Sequence, residues 1–222
     1  MSEYFIVKES IDSNVIGSHY PQCTGVLNGY NNDYSNKKSL YYFAHQKGVK
    51  VKIEPDLSSI KVGQRTKITD IVSCSLGPGN DMVVSNKLFS LIKKIETSNI
   101  QFFDCLLHKK EVSYKYKWVH FIYNLEEFVD YKKSVFFHPN EKILAEAKEI
   151  KDYKSFLVFY NEVDTYGFIK TEKTFIRHSP LDFFTVGRFN QKHYVSLKFQ
   201  SKLLSEGLLG IEFEAADDIV FV

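Results

Sequence analysis

One short stretch occurs twice in this chain, and it limits the fold more than anything else. Val84-Ser85-Asn86-Lys87-Leu88-Phe89-Ser90 and Val195-Ser196-Leu197-Lys198-Phe199-Gln200-Ser201 lie 111 positions apart. The same offset carries Ile100-Gln101-Phe102 onto Ile211-Glu212-Phe213, and Val84, Ser85, Lys87, Ser90, Ile100 and Phe102 are identical in both places without a gap. Each copy reads as strand, serine, helix, strand. A serine suits that position because its side-chain oxygen accepts a hydrogen bond from an N–H that has no partner inside the helix. After Ser85, the residues Leu88, Leu91, Ile92 and Ile95 recur at helical spacing and form one apolar stripe. Lys93 and Lys94 fall near the C-terminal end, where the helix dipole favours cations. After Ser196 the spacing predicts a helix to about Glu206, stopped by Gly207. Before it, a short strand starts at Asp182 and a second ends at Tyr194-Val195. After it, Ile211 to Glu214 is predicted as a strand.

The remaining signals are mostly strands. Val112 to Leu125 alternates with period two: Val112, Tyr114, Tyr116, Trp118, His120 and Ile122 share one face. Both faces become apolar after Trp118, which places this strand in the middle of a sheet with Trp118 as a core anchor. Tyr4 to Val7 reads as an edge strand. Val49, Val51 and Ile53 alternate with Lys50 and Lys52 and predict a half-exposed strand. Short strands are also expected at Ser134–Phe137, Phe156–Tyr160, Tyr166–Ile169 and Thr174–Arg177, with a short helix over Glu141–Ile150. Glu9 to Lys38 is a long polar loop with turn-forming Asn and Gly, studded by Tyr20, Tyr30 and Tyr34. The fold class is therefore α+β: mostly antiparallel sheet with two Ser-capped amphipathic helices in a repeated unit. Residues 1–80 and 81–222 form two parts of one two-lobed domain.

Composition excludes several classes. With 222 residues the chain can bury a core without staples. A net charge of +2 gives no electrostatic case for a general nucleic-acid binder. Cys23, Cys74 and Cys105 are odd in number and contain no CxxC pair, so they read as free thiols in a reducing compartment, not as zinc ligands. The start of the chain has no signal-peptide pattern and no stretch is long enough to span a bilayer, so a cytoplasmic location is expected. Gly77-Pro78-Gly79-Asn80 lacks the spacing of a phosphate-binding loop. The seven histidines show no metal-ligand spacing. No catalytic, cofactor-binding or metal residue is assigned. Two rivals have concrete residues. An enzyme would gather His178, His193 or the carboxylates from Glu126 to Asp130 in a cleft. A nucleic-acid-binding module would expose Tyr114, Tyr116 and Trp118 beside Lys115 and Lys117.

A resemblance adds a function. Asp182-Phe183-Phe184, Tyr194-Val195-Ser196-Leu197-Lys198-Phe199 and Glu206-Gly207-Leu208-Leu209-Gly210-Ile211-Glu212-Phe213 resemble the C-terminal signature of a bacterial immunity-protein family from polymorphic toxin systems. That family is immunity protein family eleven, with family forty-three as a sister possibility. Tyr116 to Asn124, Val129-Asp130-Tyr131 with Ser134, and Val83-Val84-Ser85 are similar to its central segment and earlier Ser-capped helix. The resemblance spans roughly residues 80 to 215. It implies a cytoplasmic antitoxin, not an enzyme, that binds and neutralises a cognate toxin domain by direct protein–protein contact without a cofactor, membrane or nucleic acid. Tyr30, Asp33 and Tyr34 in the long loop are the expected partner-binding residues, since tyrosines in a polar loop supply stiff contact area.

Overall fold

The computed structural model describes residues 3–27, 35–137, 150–163, 169–178 and 180–222. In chain order they form β1 (Tyr4–Glu9), α1 (Ser13–Ile16), β2 (Cys23–Val26), α2 (Leu40–Ala44), β3 (Ile60–Val62), β4 (Ile71–Val72), β5 (Met82–Ser85), α3 (Asn86–Ile92), β6 (Ile100–Lys109) and β7 (Val112–Phe121). There follow a 3₁₀ turn (Leu125–Phe128), β8 (Val135–Phe137), α4 (Tyr153–Val163), β9 (Lys170–Ile176), β10 (Phe183–Phe184), β11 (His193–Ser196), α5 (Leu197–Ser205), β12 (Ile211–Ala215) and β13 (Ile219–Phe221). The class is mixed α and β, and the strands pair mostly antiparallel; β3 with β6 and β13 with β9 are parallel.

The strands form a six-stranded sheet (β2-β3-β6-β7-β5-β4), a four-stranded sheet (β10-β11-β1-β12) and a three-stranded sheet (β13-β9-β8). Part of the large sheet, β4-β5-β7-β6, has the same antiparallel order as β10-β11-β1-β12. The registers agree too. Ser85 lies opposite Tyr116 and Ser196 opposite Tyr4; Phe102 lies opposite Val119 and Phe213 opposite Val7. In both sheets the strand before the helix hydrogen-bonds to a central strand that also pairs with the strand after it. In one sheet that central strand is β7; in the other it is β1, from the opposite end of the chain.

The helix starts are built alike. Ser85 Oγ accepts from Leu88 N and donates to Asp70 Oδ1; Ser196 Oγ accepts from Phe199 N and donates to Asp182 Oδ1. Each aspartate also takes its serine's backbone N–H on its own carbonyl. The two sheets are tied by crossed backbone bonds: Asp70 N donates to Leu209 O, and Asp182 N to Glu96 O, both at 2.8 Å. Gly207 ends α5 with φ 61°, a left-handed conformation that glycine adopts without a Cβ clash.

Each central strand separates two cores. The inner faces share one apolar layer holding Val7 and Val119, Val84 and Val195, Leu88 and Phe199, Ile92 and Leu203. Behind β7 lies a core of Tyr116, Trp118, Phe43, Phe103, Ile60 and Leu107. Behind β1 lies an aromatic core containing Tyr4, Tyr131, Phe156, Phe184, Phe189 and Tyr194.

Several expectations need correction. β1 is an interior strand of its sheet, flanked by β11 and β12, not an edge strand. The long polar loop contains α1 and β2. Val49 to Ile53 forms no strand; instead the Gln101 side chain pairs with the backbone N–H and C=O of Val51 at 2.6 and 2.9 Å, standing in for a neighbouring strand. Phe156 to Tyr160 lies inside α4. Tyr153, Phe156, Leu157 and Tyr160 recur at helical spacing on the side that meets the aromatic core. Reciprocal bonds of Asp152 Oδ1 with Ser155 N and of Ser155 Oγ with Asp152 N start that helix. The expected helix over Glu141–Ile150 and strand over Tyr166–Ile169 fall almost wholly outside the described residues.

Candidate functional site

Tyr30, Asp33 and Tyr34 lie outside the described residues. The residues of the two rival readings lie inside them, and the structure separates each set. Glu126 is fully buried and pairs with Arg188, while Asp130 caps the following turn through Lys133 N. His178 lies edge-on to Phe128, with ring centroids 5.0 Å apart. His193 belongs to the central core, its ring 4.6 Å from that of Phe121. Each of these groups is thus engaged by its own neighbours. Tyr116 and Trp118 are buried, at 6% and 1% exposure, so their rings are not offered to bases.

The buried ionisable groups have structural tasks. Asp81 accepts from Trp118 Nε1 at 2.7 Å and from Phe121 N, and pairs with His120 Nδ1 at 2.9 Å. His120 Nε2 meets the Val49 carbonyl at 2.8 Å. Both ring nitrogens of His120 therefore face acceptors. Burial lowers its proton affinity, but the Asp81 hydrogen bond and charge outweigh that and raise it above the ordinary histidine value. The pair fastens β7 to the Gly77–Asn80 loop and to the segment before Val51. Sequence reading missed it because the two residues are 39 positions apart and no spacing rule connects them.

Glu126 organises the second cluster. Its carboxylate accepts from Arg188 N and, at 3.1 and 3.0 Å, from Arg188 Nε. Burial raises its pKa against the Arg188 charge. A Cβ at Gly187 would collide with this carboxylate, so the residue before Arg188 has to lack one. The Cys105 thiol is pushed up by burial; that of Cys23 is pushed up by its hydrogen bond with Cys74 and then by burial. Both are poor nucleophiles at neutral pH. His193 is held neutral by burial, which pulls its pKa down to about 3, and its Nδ1 is buried without a hydrogen-bond partner. It lines a cleft of about 560 Å³ between the sheets, walled by Val7, Ile71, Val72 and Met82 with Tyr20.

The surface most suited to a partner is made by α3 and α5. Their inward residues, Leu88, Ile92, Phe199 and Leu203, share the central core, and the start of α3 meets the end of α5 where Lys87 Nζ donates to Glu206 O at 2.6 Å. The exposed positions are Asn86, Lys87 and Ser90 on α3 and Leu197, Lys198, Ser201, Lys202, Leu204 and Ser205 on α5. Leu197 and Leu204 on α5 and Leu209 just after it are 44%, 62% and 60% exposed. Lys87, Lys93, Lys94, Lys198 and Lys202 are also exposed on the two helices or just after α3. Phe89 extends the face onto the β6–β7 hairpin: Lys93 and Lys117 sit over its ring at 5.5 and 5.1 Å, and Phe102 packs against its edge. Sequence reading found both helices but used them only as scaffold. The signal for a surface was the leucine pair Leu197 and Leu204, on the side away from the buried stripe.

No helix among the described residues is long and apolar enough to cross a membrane. The sequence matches no protein-family model, and no curated protein matches it.

Proposed function

We propose that this chain is an immunity protein: a cytoplasmic antitoxin that binds a cognate bacterial toxin domain and neutralises it by direct contact. The observation that carries this reading is the α3–α5 face. Exposed leucines together with lysines and serines on short, well-anchored helices offer the mixed apolar and polar contact that protein-binding surfaces use. The residues that resemble immunity protein family eleven, from Asp182 to Phe213, build half of that face. The other half comes from the matching stretch around Ser85.

The same proposal includes a repeated strand–helix–strand unit. The shared sheet order, the matching registers and the paired Asp–Ser helix starts support an ancestral module used twice. In the second use, its central strand is supplied by the N-terminus. The buried Asp81–His120 and Glu126–Arg188 pairs are satisfied by protein partners and hold loops in place, in keeping with binding and not turnover.

Reading the neighbouring frames for a toxin domain, and co-expressing this chain with it, tests the function. The expected result is restored growth of the toxin-expressing cells and a stable complex on size-exclusion chromatography. Continued growth arrest with no complex, at matched expression, would refute it.

A further inference from the structure

We propose that Cys23 and Cys74 form an oxidation site: peroxide reacting at Cys74 converts the pair into a disulfide that seals the large sheet along its seam. This site is independent of the binding role proposed above. The six-stranded sheet begins at β2 and ends at β4. Its two ends nevertheless meet. Cys23 N on β2 donates to Ser73 O, just beyond β4, at 3.0 Å. Gln22 N donates to Ser73 Oγ and Ser73 N donates to Gln22 Oε1, both at 2.9 Å. The Gln22 side chain also donates from Nε2 to Lys67 O at 2.8 Å. The sheet therefore curls around the Trp118 core, and these bonds are its seam.

The three free cysteines share that core: Cys23 and Cys105 are buried in it, and Cys74 packs against it. The Ser73 carbonyl belongs to the peptide that joins Ser73 to Cys74, so the Cys23 N–H bond sets Cys74 beside Cys23. Side chains alternate along extended chain, so Cys74 falls on the same side as Val72, facing the Trp118 core. The two thiols are hydrogen-bonded to each other. Chains joined by a backbone bond of this kind run about 5 Å apart, within the Cα separation of about 4.4–6.8 Å that a disulfide spans. Among the described residues no three His, Cys, Asp or Glu side chains are grouped to hold a metal ion, so the cluster is suited to redox chemistry and not to a metal centre.

Exposure divides the roles. Cys74 is half-buried and lines the cleft of about 560 Å³ between the sheets, where a small oxidant can enter. Cys23 and Cys105, each 2% exposed, are not among the walls of that cleft. The Cys74 sulfur attacks one oxygen of hydrogen peroxide, the O–O bond breaks, and a sulfenic acid and one water form. The Cys23 sulfur then attacks the Cys74 sulfur, the S–O bond breaks, and the Cys23 proton leaves with the hydroxyl as a second water. The two thiols give up two electrons and the peroxide takes both. The hydrogen bond with Cys74 and burial both disfavour the Cys23 thiolate, so the second step relies on contact between the sulfurs.

The test treats the reduced full chain with hydrogen peroxide, blocks remaining thiols with N-ethylmaleimide in denaturant, and maps a non-reduced digest by mass spectrometry. The expected product is a peptide pair joined through Cys23 and Cys74, about 2 Da lighter than the two free peptides together, with Cys105 carrying the maleimide. Dithiothreitol reverses the link, and Cys105→Ala still forms it. Cys23→Ala stops at the Cys74 sulfenic acid, which dimedone captures. A link through Cys105, a Cys74–Cys74 dimer, or a sulfinic or sulfonic acid on Cys74 with Cys23 free overturns the assignment in the wild type alone. So does maleimide on all three cysteines at a peroxide dose that oxidises the denatured chain. The disulfide should also raise the melting temperature over that of the reduced chain, and an equal or lower value would overturn its role as a seam.

Discussion

The sheet β4-β5-β7-β6 and the sheet β10-β11-β1-β12 share an order and a register, but they carry different loads. Their inner faces carry matching apolar residues at Val119 and Val7, Val84 and Val195, Leu88 and Phe199, and Ile92 and Leu203, and meet in one apolar layer. Their outer faces do not. The first sheet is extended by β3 and β2, and its β6 and β7 run ten residues each. Behind it stands the Trp118 core. The second sheet has a five-residue β12 and is backed by aromatic rings from α4 and the β10–β11 region. Because side chains alternate across a strand, one face can hold a common interface while the other diverges. The inner face is thus the scaffold, but its pattern is broken in places: Lys117 lies opposite Val84 where Phe5 lies opposite Val195, Phe121 lies opposite Ile100 where Glu9 lies opposite Ile211, and His193 stands where the first sheet has Met82, 111 residues earlier.

The largest test of this comparison cuts the inner layer at matched positions. Leu88 and Phe199 are 111 residues apart, and each is nearly inaccessible, at 3% and 2% exposure. Phe199→Ala is expected to cost about 3–5 kcal/mol and Leu88→Ala about 2–4 kcal/mol. Urea unfolding followed by tryptophan fluorescence measures both, because Trp118 is the single tryptophan and lies in the core behind β7. If the layer is one cooperative core, Phe199→Ala shifts the Trp118 transition even though it sits on α5, beside the other sheet. A Trp118 midpoint left unchanged by Phe199→Ala would show two independent units.

The next largest effect comes from His193, one of the positions that break the pattern. Burial pulls the pKa of His193 down to about 3, while an unfolded histidine titrates near 6.5. The unfolded chain therefore takes up this proton first as pH falls. Stability is full above roughly pH 6.5 and declines from there towards pH 3. By pH 5 the loss from this residue is about 2 kcal/mol. His193→Met restores the residue type of the first sheet and removes the proton site. The difference in unfolding free energy between pH 7.5 and pH 5 should shrink by that amount, and an equal acid loss in both proteins would exclude His193 as its source. His120 has the opposite sign. Its pKa is raised, so its contribution is present below the ordinary histidine range and is lost as pH rises through the raised value. Histidine NMR titration should find His120 still protonated at a pH where an exposed histidine is neutral.

What the sequence made legible follows from how local each signal is. The serine caps, the helical stripes of α3 and α5 and the alternation of β7 are set within a dozen residues, and periodicity reports them. The failures arose where distant partners decide. Val49 to Ile53 alternates like a strand, but its hydrogen-bond partner is a side chain from β6. Phe156 to Tyr160 looks like a strand because α4 turns a nearly all-apolar run against an aromatic core. Tyr4 to Val7 looks like an edge because nothing nearby in sequence shows that β11 and β12 close on both sides of it. The candidate face was half legible. Its lysines and leucines were visible, but that α3 and α5 meet through Lys87 and Glu206 is a long-range fact, 119 residues apart.

The smallest effect separates the two helix latches. Asp70 uses both carboxylate oxygens: Oδ1 accepts from Ser85 Oγ, and Oδ2 accepts from Leu209 N at 2.8 Å, reaching the other sheet. Asp182 uses Oδ1 for Ser196 Oγ, but its Oδ2 has only Lys198 at 3.9 Å, and that lysine side chain is 83% exposed. An asparagine keeps one acceptor oxygen and places an N–H₂ donor where the other stood. At Asp182 the remaining oxygen can still serve Ser196, and an exposed ion pair at that distance contributes little, so Asp182→Asn should stay within about 0.5 kcal/mol of wild type. At Asp70 either Ser85 or the Leu209 N–H loses its acceptor, so Asp70→Asn should cost about 1–2 kcal/mol more. Hydrogen exchange at the Leu209 amide locates the loss. Faster exchange there in Asp70→Asn, with no matching change at Ser98 in Asp182→Asn, would assign the link between the sheets to Asp70. Equal costs for the two substitutions would mean that the latches act only within their own helices.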